Sequence, residues 1–148
     1  MTWLLDVNLL IALNWSTHVH YDAAHSWFQK INPTDRWATC PLTECGFVRI
    51  SSNRKFTPEP LEPHDAVKTL AEIVASPRHI FIPDDVQLDQ LATAPRPMLI
   101  SGHQQVTDAY LLLLATRHKA RLATLDKGVL NLAGKDYRDN VELVPSVF

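Results

Sequence analysis

Short apolar runs alternate along this chain with longer segments of helical periodicity, and that alternation leaves few ways to fold. Residues 3–6, 36–40, 79–82, 121–124 and 141–144 read as strands. A short helix is expected over 8–14, and a second over 22–31, where Ala23, Ala24, Trp27, Phe28 and Ile31 recur at helical spacing. Pro41 suits the first turn of a third helix. Beyond the polar, proline-bearing loop 51–63, a helix over 64–75 follows, and Asp84 is placed to cap another over 85–94, which Pro95 and Pro97 end. Gly102 precedes a longer helix over 103–118, and a short one lies near Val129. Repeated strand-helix units predict an α/β fold with a central, mostly parallel sheet of about five strands flanked by helices on both faces.

At 148 residues the chain suits one domain, 1–148, with no need of a disulfide or metal staple. With 46% apolar and 20% charged residues, the composition suggests neither disorder nor a membrane protein. The apolar stretch 3–13 lacks a basic leader, is interrupted by Asp6 and Asn8, and is too short to span a bilayer. Cys40 and Cys45, the only cysteines, lack CxxC spacing and read as reduced core thiols of a cytoplasmic protein. The formal charge of −2 gives no whole-molecule attraction to nucleic acid, so any polyanion must bind a local patch.

Four acids stand in apolar surroundings where a solvated charge is not expected. Asp6 ends the run Trp3-Leu4-Leu5, Glu44 lies within Pro41 to Val48, Asp108 introduces Ala109 to Leu114, and Asp126 follows Leu122 to Leu125. In a parallel α/β sheet, sites form beyond the carboxyl ends of the strands. Asp6 and Asp126 fall at or just past two such ends, and Glu44 lies in the first turn of the helix after a third. Glu44 shares a helix face with Phe47 and Val48, and Asp108 shares one with Leu111, Leu112 and Ala115, so both should point inward. Converging carboxylates repel, and unpaired buried charge costs several kcal/mol or more; a divalent cation relieves both. Read singly, each acid has a plainer role: Asp6 caps a helix, Glu44 answers a helix dipole, and Asp126-Lys127-Gly128 is a turn. The joint pattern points to a metal site.

Five segments in order, 4–13, 18–20 with 23–28, Pro41-Leu42-Thr43-Glu44-Cys45-Gly46-Phe47-Val48-Arg49, Gly102 to Ala109, and Leu122 to Gly128, carry a family likeness. Through them the chain resembles the PIN-domain ribonucleases, and within them the VapC-type toxins of bacterial toxin-antitoxin pairs, over nearly its whole length. The resemblance implies a PIN-like fold, with Asp6, Glu44, Asp108 and Asp126 binding Mg2+ or Mn2+ and cutting RNA. It also implies a cognate antitoxin protein that blocks the acidic cleft, and a homodimer. Hard divalent ions take oxygen ligands, activate water and neutralise charge on a scissile phosphate, so no protein nucleophile is needed. A 5′-phosphate and a 3′-hydroxyl are the products expected by analogy. Asn8, Thr107 and Thr124 are placed to orient the carboxylates by hydrogen bonds. Arg49, Arg117, Arg121 and Lys127 lie near the acids as candidate phosphate-binding residues.

Other readings fit less well. His18, His20 and His25 are closely spaced but lack the cysteine or carboxylate set of a tetrahedral zinc site, and Asp84-Asp85 suits capping. A receiver domain or dehalogenase-type phosphatase needs a second Asp where Asn8 stands. The non-enzymatic alternative is a protein-binding module with a vestigial metal site. Trp15, Trp27, Phe28 and Leu111 to Leu114 read as surplus apolar helix available to a subunit interface.

Overall fold

Trp3, Leu4 and Leu5 are all buried, which a strand permits only when both faces of its sheet are covered. In the computed structural model, which describes residues 1–146, five strands form one sheet. They are β1 (Thr2–Leu5), β2 (Arg36–Thr39), β3 (His79–Phe81), β4 (Arg121–Thr124) and β5 (Val141–Leu143). The order is β3-β2-β1-β4-β5, and every pairing is parallel. The helices are α1 (Val7–Asn14), α2 (Tyr21–Lys30), α3 (Pro41–Ser51), α4 (Pro63–Val74), α5 (Gln90–Thr93), α6 (Val106–Arg117) and α7 (Gly128–Ala133). None of those described is long and apolar enough to cross a membrane.

Alternation along the strands sorts their side chains into two cores. Leu4, Ala38, Leu122 and Val141 pack with Leu111 to Ala115 of α6 and with Val129 and Ala133 of α7. Trp3, Leu5, Trp37 and Ala123 pack with Leu9 and Leu10 of α1, Trp27 of α2, Phe47 of α3 and Leu70 of α4. The chain runs outward from β1 to β2 and β3, then returns to place β4 on the other side of β1. The junction of β1 and β4 is therefore the switch point of the sheet, where an open crevice forms beyond the carboxyl ends.

Several expectations need correction. The helix expected over 85–94 is reduced to α5, and Asp84 caps nothing there. Between Pro83 and Gln90 only Val86 is buried, so no apolar stripe supports earlier helical turns. Asp85 instead receives His118 Nε2 at 2.8 Å. Cys40 is a buried thiol, pushed up to about 11 mainly by burial, but Cys45 is exposed because it lies on the outer face of α3. Trp27 and Leu111 to Leu114 are buried within this chain, so they are not surplus surface for a second subunit.

Gly46 sets how closely α1 and α3 approach. A Cβ at this position would lie 2.6 Å from Val7 Cγ2 and 3.0 Å from Val7 Cγ1, on a β-branched side chain that cannot swing aside cheaply. Gly46→Ala gains about 0.5–1 kcal/mol of helix propensity, against an overpacking cost of about 1–3 kcal/mol. Urea unfolding is expected to show net destabilisation of about 1–2 kcal/mol. A Val7→Ala/Gly46→Ala double variant should lose less than the sum of the singles. Additive losses would mean that this approach does not limit the packing.

Candidate metal centre

Where β1 ends, Asp6 is held from three directions. Its N–H donates to the Ala123 carbonyl of β4 at 3.1 Å, and its own carbonyl accepts from Leu10 N at 3.0 Å. Oδ1 accepts from Leu9 N at 2.8 Å, so Asp6 caps α1, and Oδ2 accepts from the Thr124 hydroxyl at the end of β4. The side chain is buried, and burial, with smaller contributions from Asp108 and Asp126, pushes its carboxyl up from 3.8 to about 6. Such a displacement amounts to about 3 kcal/mol against the ionised form in the fold.

Thr124 is wholly buried, and its single hydroxyl proton is committed to Asp6. The same oxygen accepts from Asp126 N at 3.0 Å. One threonine thus ties the carboxylate after β1 to the backbone of the acid after β4. Asp126 is exposed and forms the expected turn, its Oδ1 accepting from Gly128 N at 2.8 Å. Asp108, half-buried in the first turn of α6, has its carboxyl raised by burial and then by Asp126. Asp6, Asp108 and Asp126 therefore act on one another electrostatically. Among the described residues, no Lys or Arg forms an ion pair with them.

Glu44 takes a different partner. Its Oε1 accepts from the Thr39 hydroxyl at 2.8 Å, and Thr39 Oγ1 lies 2.7 Å from His79 Nε2. Since Thr39 has one proton and gives it to the carboxylate, His79 must donate, which sets a directed chain from His79 Nε2–H through Thr39 to Glu44. Burial lowers the His79 pKa, while Glu44 raises it by a smaller amount. Neither Thr39 nor His79 was expected at the site. The available signal was weak: Thr39 ends β2 two residues before Pro41, but His79 reaches it only through the β2–β3 pairing.

The remaining predicted residues divide. Asn8 and Thr107 are exposed and make no side-chain hydrogen bond to an acid among the described residues, lining instead a groove beside the centre. Arg117 donates to Gln90 Oε1 at 2.6 Å, and Arg121 lies over the Trp3 ring at 5.7 Å. Arg49 and Lys127 are exposed. Among the described residues, no three His, Cys, Asp or Glu side chains are gathered tightly enough to enclose an ion. The donors nevertheless suit a hard cation: three carboxylates in one field, one buried, one half-buried and one exposed, with no basic partner among the described residues.

Residues 3–135 match the PIN domain family. The chain is similar to Ribonuclease VapC38 of Mycobacterium tuberculosis, with 46% identity over 143 residues, 95% of this chain and 96% of that protein. Ribonuclease VapC39 of the same organism is 44% identical over 133 residues, covering 90% and 94%. Its Ribonuclease VapC29 is 38% identical over 148 residues, covering 99% and 98%.

Two outcomes follow from the hydrogen bonding. The Asp6 carboxyl has a higher pKa folded than unfolded, so its stabilising contribution is complete below about 4 and is lost as pH rises through about 6. In chelator, Asp6→Asn should melt higher than the parent by about 2–6 °C at pH 7.5, and the difference should shrink toward pH 4. A difference independent of pH would contradict the burial account. Thr39→Val should cost about 1–3 kcal/mol in urea unfolding, because it strands the His79 N–H, whereas Thr39→Ser should cost less. Nitrogen NMR of the His79 ring should report the Nε2–H tautomer in the parent; the Nδ1–H form would reverse the assigned chain.

Proposed function

The chain belongs to the VapC-type PIN-domain family, and we propose that it is a metal-dependent endoribonuclease, the toxin of a type II toxin-antitoxin pair. The observation that carries this reading is the mutual field of Asp6, Asp108 and Asp126 at the switch point, with no Lys or Arg paired to them among the described residues. These three, joined by Glu44, are the residues that would hold Mg2+ or Mn2+. When bound, such an ion supplies a nucleophilic water at neutral pH and neutralises charge on the phosphate oxygens.

The chain's own groups prepare the site. Leu9 N–H and the Thr124 hydroxyl orient Asp6, each taking one lone pair of a different oxygen and leaving others open. Since the Asp6 carboxyl titrates at about 6, ligation must displace its proton at lower pH, and metal affinity should fall as pH drops below that value. Thr39 and His79 set the direction from which Glu44 is presented. By analogy with related nucleases, hydrolysis of the RNA phosphodiester would break the P–O3′ bond and leave a 5′-phosphate and a 3′-hydroxyl. The chain acts as one domain in the cytoplasm. Its antitoxin would bring an Arg, whose planar fork can pair with these carboxylates and displace metal. A homodimer rests on the family likeness, since the apolar helices cited for it are largely interior.

The deciding experiment pairs cleavage with binding. Purified protein with Mg2+ or Mn2+ should cut single-stranded RNA, and Asp108→Asn should reduce the rate about 100-fold or more. Mn2+ at about 100 times its dissociation constant should add about 2.7 kcal/mol of stability, a gain that Asp6→Asn/Asp108→Asn should lack. Full cleavage by Asp108→Asn, or equal stabilisation of the double variant, would overturn the site assignment.

A further inference from the structure

Beside the carboxylates lies a groove of about 660 Å³, lined at its acidic end by Asn8 and Thr107. Arg49, Asn53, Arg54 and Phe56 line it elsewhere. Phe56 is 67% exposed, so its ring is open to solvent. Its loop is nonetheless well bonded. Lys55 N donates to Asn53 Oδ1 at 2.9 Å, Phe56 N and Thr57 N donate to the Asn53 carbonyl at 3.0 and 3.2 Å, and Leu61 N donates to the Ser51 carbonyl at 2.9 Å. Hydrogen bonds within the turn therefore present the ring to solvent at the groove.

Charge points the same way. Residues 45–58 contain Arg49, Arg54 and Lys55 and no Asp or Glu, although the chain as a whole carries −2. All three cations are exposed, and among the described residues none forms an ion pair. The dipole of α3 accounts for Arg49 in its last turn, but Arg54 lies beyond the helix. A surface that combines guanidinium groups with one presented ring suits a polyanion with stacking faces, and only an unpaired base leaves its face free.

Resting on the nuclease reading above, we infer that single-stranded RNA lies in this groove, phosphates on Arg49 and Arg54 and one base stacked on Phe56. The strand then passes Asn8 and Thr107 to reach Asp6, Asp108 and Asp126. Cys45, an exposed thiol that also lines the groove, is a built-in reporter, because Cys40 is buried.

The test measures anisotropy of fluorescein-labelled single-stranded RNA of mixed sequence on full-length Asp108→Asn protein in chelator, so that binding proceeds without turnover. Adding Phe56→Ala should weaken binding about tenfold, and Phe56→Trp should restore it. Arg49→Ala/Arg54→Ala should make the slope of log affinity against log salt shallower by about 1.4, from about 0.7 for each phosphate left without its guanidinium. RNA should protect Cys45 from alkylation. Unchanged affinity and slope in these variants, with Cys45 unprotected, would overturn the groove assignment. Native protein that still cleaved RNA would show that only the groove had failed; native protein that cut no RNA with Mg2+ or Mn2+ would remove the nuclease reading instead. Variants that kept RNA but lost a protein inhibitor would assign the groove to that inhibitor and overturn the RNA path.

Discussion

The buried carboxylate of Asp6 is the constraint around which this end of the molecule is arranged. Its capping bond to Leu9 N is worth about 1 kcal/mol, and a Ser or Thr would supply that much without charge. A net penalty of about 3 kcal/mol against the charge remains after that bond and the Thr124 bond are counted. Capping alone therefore does not account for an Asp at this position. Without the hydroxyl from β4 on the second oxygen the cost would be higher still, and the helix N-terminus, whose dipole favours negative charge, acts in the same direction.

Two threonines at strand ends perform related work with opposite consequences. Thr124 joins Asp6 to the backbone of Asp126, so the spacing of those acids depends on the parallel register of β1 and β4. Thr39 holds Glu44 by a chain that starts at His79 on β3, toward the other edge of the sheet. Three acids therefore share one field, while the fourth is held by its own hydrogen-bond chain. A cation that recruited Glu44 would have to compete with one neutral hydroxyl donor, a contribution of about 1 kcal/mol.

Much of the fold was legible because strand and helix periods differ and because both faces of the sheet are covered, so its strands read as plain apolar runs. Asp6, Asp126 and Glu44 could be placed from position alone, at strand ends or in a first helical turn. What escaped the sequence depended on pairing and packing. The partnership of Thr39 with His79 spans 40 residues and exists only through the β2–β3 pairing. Cys45, without CxxC spacing, reads as a core thiol, yet in α3 it turns outward while Phe47 turns in. The Leu111 to Leu114 run looked like surplus surface, but both flanks of α6 are covered, by the sheet and by α7 and the segment around Val86. At 85–94 a capping residue and a proline stop suggested a helix that a single buried Val could not support.

The distribution of charge joins the site to the groove. A carboxylate cluster at the end of a sheet attracts a cation and repels a nucleic acid, so local charge that offsets it favours the approach of a phosphate. Metal supplies part of that offset; the acid-free stretch with Arg49, Arg54 and Lys55 can supply another part, on the helix that also carries Glu44 and in the loop after it. Gly46 lies at the centre of this arrangement. Its missing side chain lets α3 lie against Val7 next to Asp6, and that close approach brings Arg49, one helical turn further on, to the rim of a groove whose other end is Asn8. The packing of two helices thereby sets how far the cations stand from the acids.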